Sequence, residues 1–169
     1  VVEYGIKALK AVFHRGAVDA DGKTGDGAGI HLEIPSDFFT EKIELTGHKH
    51  DNSEICIGMI FLPRNNYEAQ ENARTLVESE LTKSNFSIYG WRQVPVNTKV
   101  LGEKANLTRP EITQVLFKNN NDKINGKNLE RKLYESRRKI EKEAIKSSLE
   151  GFYICSLSSK SIIYKGMFL

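Results

Sequence analysis

The chain has 169 residues, of which 39% are apolar and 28% charged, a composition typical of a globular domain with its own core. Its net charge is only +3, from 25 basic and 22 acidic residues, so the charge balance argues against a nucleic-acid-binding surface. No apolar run approaches the roughly 20 residues that span a bilayer. We therefore expect neither a nucleic acid nor a membrane as a partner.

The first third of the chain predicts a helix, a glycine-rich loop and a strand. Apolar residues at helical spacing predict an amphipathic helix over residues 2–13, with Gly16 as a stop beyond it. After the loop, alternating apolar residues predict a half-buried strand over residues 30–34. Residues 36–39 then predict a short turn or helix, and the polar residues 42–53 an exposed loop.

The rest of the chain predicts strands and two longer helices. Asn66 is expected to cap a helix whose apolar face consists of Ala69, Ala73, Leu76, Val77 and Leu81. The longest predicted helix covers residues 127–147. The remaining strands are predicted at 55–62, at 86–97 with a break near Pro95, at 112–117, and in a hairpin of 152–157 with 162–164.

The order of these elements favours an α+β fold in a single domain. The strands lack regular βαβ spacing, and the later part alternates strand, helix and hairpin, which favours antiparallel pairing.

Cys56 and Cys155 lie within apolar runs and are predicted to be buried thiols, neither disulfide-bonded nor nucleophilic. His48 and His50 lack a third ligand in view, so we expect a solvated loop there and no metal site.

The glycine-rich segment after the first helix is the most informative feature of the sequence. Five glycines fall between residues 16 and 29, with acidic and small residues among them. Because glycine lets other groups approach the main chain closely, this density predicts a folded loop built around something. The segment precedes a strand and lacks the spacing of a dinucleotide-binding loop. Arg15, at the start of the loop, either binds a carboxylate or braces loop carbonyls.

Five blocks of sequence resemble the glutamine amidotransferase domain of glutamate synthases. The first comprises His14-Arg15-Gly16-Ala17 and Ala20-Asp21-Gly22-Lys23-Thr24-Gly25-Asp26-Gly27-Ala28-Gly29-Ile30. The others are Gly90-Trp91-Arg92-Gln93-Val94-Pro95-Val96-Asn97, Leu101-Gly102-Glu103, the basic helix from Leu129 to Glu141, and the closing segments Phe152–Ser159 and Ile163–Met167. The His-Arg-Gly element is shared with other class II amidotransferases, whereas the later blocks point to glutamate synthases.

The resemblance implies a fold, a reaction and a set of site residues. The fold is the N-terminal nucleophile hydrolase fold, a layered α-β-β-α sandwich with antiparallel sheets. The family hydrolyses the side-chain amide of glutamine with an N-terminal Cys whose α-amine takes the thiol proton. In this sequence Arg15 is expected to orient the site or the substrate. The loop residues Gly16, Gly25, Asp26, Gly27 and Gly29 are expected to shape one wall.

The resemblance also implies that residues 1–169 form an incomplete domain. The family's first strand, with its nucleophilic Cys, corresponds to sequence upstream of Val1. The substrate and oxyanion segments correspond to sequence downstream of Leu169. We therefore expect this segment to be catalytically silent alone. Two alternatives remain open: a non-catalytic binding or scaffolding module with the same fold, and the glutaminase domain of another class II amidotransferase.

The implied cofactors and partners belong to the parent protein. No cofactor is expected in this segment, whereas the parent would use FMN, an iron–sulfur cluster, and NAD(P)H or ferredoxin as electron donor. Its ammonia would travel through the protein to 2-oxoglutarate. The expected partners are glutamine, the remaining synthase domains and a small electron-transfer subunit. The expected location is the cytoplasm, or a plastid in a photosynthetic eukaryote.

Overall fold

The computed structural model describes residues 2–12, 16–25, 27–51 and 53–165. Helices α1 to α5 and strands β1 to β6 follow in the order α1 Val2–Ala11, β1 Gly29–Glu33, α2 Ser36–Glu44, β2 Ile55–Leu62, α3 Tyr67–Lys83, β3 Phe86–Gln93, α4 Glu103–Thr108, β4 Glu111–Asn119, α5 Gly126–Lys146, β5 Tyr153–Ser158 and β6 Ser161–Lys165. A short 3-10 helix, Thr98–Val100, precedes α4.

The strands form two antiparallel sheets. The larger sheet has the order β3-β4-β2-β5, and the smaller consists of β1 and β6. All eight residues of β2 are buried, because this inner strand is covered on both faces. Helices α3 and α5 pack on one face, and α2 and β6 contribute to the core on the other. The predicted α+β class with antiparallel pairing is confirmed.

The helical layer forms where the sequence predicts it. The Asn66 side chain accepts the Ala69 amide at 3.0 Å and caps α3, whose residues Ala73, Val77 and Leu81 are fully buried. In α5, Leu129, Leu133, Ile140 and Ala144 face the sheet and are buried. Both helices were predicted from this apolar spacing, and both are confirmed.

A polar bridge connects the two sheets on the face of the larger sheet that packs against α2 and β6. Gln114 of β4 is fully buried, and its Nε2 donates to the Tyr164 hydroxyl of β6 at 3.1 Å. Its Oε1 accepts from Arg92 of β3 at 2.7 Å. Because both ends of the amide are paired, this bridge avoids the cost of an unsatisfied buried polar group.

The predicted C-terminal hairpin is wrong. Strands β5 and β6 follow one another closely but belong to different sheets, so the chain crosses from the larger sheet to the smaller one. Side chains connect the crossing strands: Ile163 N donates to Ser156 Oγ at 3.3 Å, and Cys155 Sγ donates to Ile163 O at 3.3 Å. A second correction concerns α2, which continues to Glu44 and buries Ile43 where an exposed loop was predicted.

Glu130 of α5 fixes the turn at which the chain changes sheets. Its Oε1 accepts the Ser159 amide at 2.7 Å, and its Oε2 accepts the Ser158 hydroxyl at 2.8 Å. The two serines are buried, so the carboxylate replaces water that the turn cannot reach. The helical layer therefore determines where β6 begins.

We predict that Glu130→Ala destabilises the chain by about 2 to 3 kcal/mol, because it leaves buried donors without a charged acceptor. The matched control is Glu135→Ala on the same helix, which removes one exposed ion pair with Arg131 and should cost no more than about 0.5 kcal/mol. Urea unfolding followed by circular dichroism measures both. Equal effects of the two substitutions would contradict the role of Glu130.

Candidate active-site wall

The glycine-rich loop has a defined fold. Val18 and Gly25 form an isolated antiparallel bridge, and the Asp19 amide donates to Thr24 O at 2.7 Å. Between them the chain turns tightly at Gly22, which has a φ of 70° and donates its amide to Asp19 O at 2.9 Å. The predicted folded loop is confirmed over the residues that the structure describes.

The carboxylate of Asp21 organises this turn. Its Oδ1 accepts the amides of Thr24 at 2.7 Å and Lys23 at 2.9 Å, and its Oδ2 accepts the Thr24 hydroxyl at 2.5 Å. These hydrogen bonds, that of the Thr24 hydroxyl first, lower the pKa of Asp21 to about 2. The carboxylate is therefore ionised at neutral pH. Thr24, which donates two hydrogen bonds to it, is only 1% exposed although it lies in a loop.

Gly102, the N-cap residue of α4, seats the loop against that helix. A β-carbon at Gly102 would lie within 3.0 Å of Thr24 Oγ1, Asp21 Oδ2 and Thr24 N, closer than real β-carbons approach. Lys104 of α4 adds an ion pair, with its Nζ 2.7 Å from Asp19 Oδ2. The absence of a side chain at Gly102 thus allows the loop and the helix to meet.

A cleft of about 770 Å³ lies between this loop, α1 and the segment leading into α4. We call it the glycine cleft; its lining includes Val12, Gly16, Gly25, Gly27, Asn97 and Gly102. Five of its lining residues are glycines, beside which a ligand can approach the main chain, and most of the others carry apolar side chains. The described lining residues include the cations Lys23 and Arg109 but no cysteine, histidine or carboxylate. They can therefore bind and position a polar ligand but supply no nucleophile.

The structure brings together some of the site residues predicted from the sequence. Gly16, Gly25 and Gly27 line the glycine cleft. Gly29 instead begins β1, where a β-carbon would lie 3.1 Å from Tyr164 O, so it allows close strand pairing. Arg15 and Asp26 lie outside the described residues.

Sequence reasoning did not assign roles to Asp21, Thr24 and Gly102. The Asp-x-x-Thr spacing is a local signal, because Asp side chains accept hydrogen bonds from amides two and three residues ahead. The contact with Gly102 has no local signal, since the two segments are distant in the sequence. The one hint in the sequence is that Asp21, Thr24 and Gly102 all belong to blocks that resemble the same family.

The two cysteines are unsuited to act as nucleophiles in the glycine cleft. Cys56 and Cys155 are free thiols and both are buried, as predicted. Burial raises the pKa of the Cys56 thiol far above its usual range and also raises the pKa of Cys155. Neither residue lines the glycine cleft.

The two histidines of the loop after α2 differ in their surroundings. His48 is exposed, as predicted, and its Nδ1 lies 3.0 Å from Thr46 Oγ1. His50 is partly buried with its ring edge-on to Tyr89, where a solvated loop was predicted. Among the described residues, no group of three or more His, Cys, Asp and Glu side chains is placed to hold a metal ion.

Comparison with known proteins identifies the family. The family described as "Glutamine amidotransferases class-II" matches residues 1–169. The chain belongs to this family. Class II amidotransferase domains have the N-terminal nucleophile hydrolase fold, which confirms the predicted fold.

The relatives of this class II amidotransferase chain are glutamate synthases. It is 54% identical to the glutamate synthase [NADPH] large chain of Azospirillum brasilense over 100% of this chain and 11% of that protein. It is 38% identical to a ferredoxin-dependent glutamate synthase of Pyropia yezoensis, over 99% of this chain and 11% of that protein. It is 36% identical to a chloroplastic ferredoxin-dependent glutamate synthase of Oryza sativa subsp. japonica, over 99% of this chain and 10% of that protein. The chain thus spans about a tenth of their length.

Among the described helices, none has both the length and the apolar character needed to cross a bilayer.

We predict that Gly102→Ala destabilises the chain by about 1 to 3 kcal/mol, because the added methyl group forces the loop away from α4. Gly25→Ala is the matched control in the loop, since a β-carbon there would meet only Ala17 O, at 3.5 Å. Urea unfolding of both variants tests this expectation. A Gly102→Ala variant as stable as Gly25→Ala would show that the loop is not seated on α4.

Proposed function

We propose that this chain is part of the glutaminase domain of a glutamate synthase. The full polypeptide would hydrolyse glutamine to glutamate and ammonia and channel the ammonia to 2-oxoglutarate for reductive glutamate synthesis. The single observation that supports this most is 54% identity to a glutamate synthase along the entire chain.

The proposed reaction needs a nucleophile that the described residues of the glycine cleft do not offer. We propose that an N-terminal Cys upstream of Val1 attacks the side-chain amide carbon, with its own α-amine accepting the thiol proton. The carbon–nitrogen bond then breaks, ammonia leaves, and water hydrolyses the acyl-enzyme to glutamate. Oxyanion donors would come from sequence beyond Leu169.

In this reaction the residues of this chain position the substrate. We propose that Arg15 orients the site or binds the substrate α-carboxylate, and that Gly16, Gly25, Asp26 and Gly27 form the wall beside it. A wall fixed in advance lowers the entropic cost of placing the amide near the nucleophile. The hydrogen bonds of Asp21 within the loop support this role.

We propose that the redox cofactors belong to other parts of the parent. The common [2Fe–2S] and [4Fe–4S] clusters are held by four Cys thiolates, whereas this chain has two cysteines, both buried on separate strands. We propose that FMN and the small electron-transfer subunit also act outside this segment. The names of the relatives, NADPH-dependent and ferredoxin-dependent, support either electron donor. The compartment we propose is the cytoplasm or a plastid.

The test uses the natural polypeptide with 2-oxoglutarate and a reduced electron donor. We expect Arg15→Lys to lower kcat/KM for glutamine by about 10- to 100-fold, because lysine cannot replace a bidentate guanidinium. Synthesis from added ammonia should be retained, since it bypasses the glutaminase site. Arg131→Lys, on the exposed face of α5, is the control.

Three outcomes would contradict the proposal in different ways. Unchanged glutamine activity in Arg15→Lys would remove Arg15 from the site. Glutamine hydrolysis without consumption of 2-oxoglutarate would favour another class II amidotransferase. No glutaminase activity in the natural polypeptide would favour a binding or scaffolding module.

A further inference from the structure

A second cleft, of about 440 Å³, opens where β2 leaves the larger sheet. Its walls are residues 61–65, residues 107–110, residues 151–153 and Lys165. We call it the arginine cleft, after Arg64 and Arg109. The walls are largely apolar, with Phe61 and Tyr153 in ring contact at 5.8 Å between centroids. A volume of this size and an apolar lining with few polar groups are typical of small-molecule sites.

One residue, Asn106, positions both arginines. The Asn106 backbone oxygen accepts from Arg64 Nη1 at 3.1 Å, and its side-chain oxygen accepts from Arg109 Nε at 2.9 Å. Each guanidinium carries five N–H donors, so most donors of both groups remain for a ligand. The brace reduces the entropy that the side chains would otherwise lose on binding.

The two arginines differ from most others in the described chain in having no carboxylate partner. Four arginines form ion pairs: Arg74 with Glu71, Arg131 with Glu135, and Arg137 and Arg138 with Glu141. Arg64 and Arg109 have none within the described residues, although the chain has 22 acidic residues. Guanidinium groups without a carboxylate partner, held by the same asparagine at one cleft, are suited to anion recognition.

The remaining charges of the arginine cleft are also positive. Lys165 Nζ donates to the Tyr153 hydroxyl at 2.9 Å and lies 4.3 Å from the centre of that ring. No aspartate or glutamate is among the described residues that line the cleft. The two arginines without a carboxylate partner, beside apolar walls, give the cleft a positive potential that attracts anions.

We propose that the arginine cleft binds a small organic anion with a carboxylate or phosphate head and a flat, apolar body. The head pairs with Arg64 and Arg109, and the body lies against the aromatic walls near Phe61 and Tyr153. The arginine cleft adjoins the glycine cleft, because Thr108, Arg109 and Pro110 line both. Arg64, Phe61 and Tyr153 line the arginine cleft and not the glycine cleft, so protection of Arg64 reports on this site and not on the proposed glutaminase site.

Arginine footprinting of the natural polypeptide tests the site directly. Phenylglyoxal modification, read by mass spectrometry, is compared with and without phenyl phosphate or phenylacetate. At ten times the dissociation constant, either anion that binds should slow modification of Arg64 and Arg109 by about tenfold by mass action. Arg131 should be unaffected, and the neutral analogue benzyl alcohol should protect neither arginine. The two anions distinguish a phosphate head from a carboxylate head.

Calorimetric titration of the same polypeptide supplies a second measurement. We expect R64Q/R109Q to weaken binding of the protecting anion by about 10- to 100-fold, because both charge-assisted contacts are lost. R131Q, which removes an exposed arginine of α5, should bind like the parent. The proposal is overturned if neither anion protects the two arginines, if both are unreactive without ligand, or if R64Q/R109Q binds as tightly as R131Q.

Discussion

The hydrogen bonds accepted by the Asp21 carboxylate are the interaction on which the candidate site depends. A loop with five glycines loses much conformational freedom when it folds, so it needs fixed partners to keep one shape. Asp21 supplies them within the loop, and Thr24 carries the resulting structure against Gly102. The wall of the glycine cleft is therefore set by contacts of Asp21 and Thr24, two residues that do not themselves line the cleft.

The two-sheet core gives this loop a stable support. The loop leads into β1 of the smaller sheet and packs on α4, which leads into β4 of the larger sheet. Glu130 of α5 accepts the Ser159 amide at the turn before β6, and Gln114 of β4 donates to the Tyr164 hydroxyl of β6. Each hydrogen bond pairs a polar group that apolar packing alone would leave unsatisfied. A change at either position is expected to reach the cleft through the relative placement of the sheets.

The sequence predicted those elements whose determinants are local. Strand β2 is a continuous apolar run and was predicted with the bounds observed, and helix α3 has both the N-cap and the apolar face by which it was predicted. The hairpin prediction failed because a Ser-Ser-Lys turn fits either a hairpin or a crossing between sheets. The deciding contact, Glu130, lies on a distant helix. In the site, the glycines were identified by family motif, whereas the seat at Gly102 depends on a contact between distant segments that no local pattern encodes.

Amide hydrogen exchange in the natural polypeptide, measured without the proposed substrate glutamine, tests most directly whether the loop is folded before a ligand binds. The Asp19 and Thr24 amides donate to Thr24 O and Asp21 Oδ1, while Lys49 lies in an exposed loop and serves as the reference. Much slower exchange is expected at Asp19 and Thr24 than at Lys49. Equal exchange at the three amides would contradict a loop that is folded in the free protein, because the wall would then form only when a ligand binds.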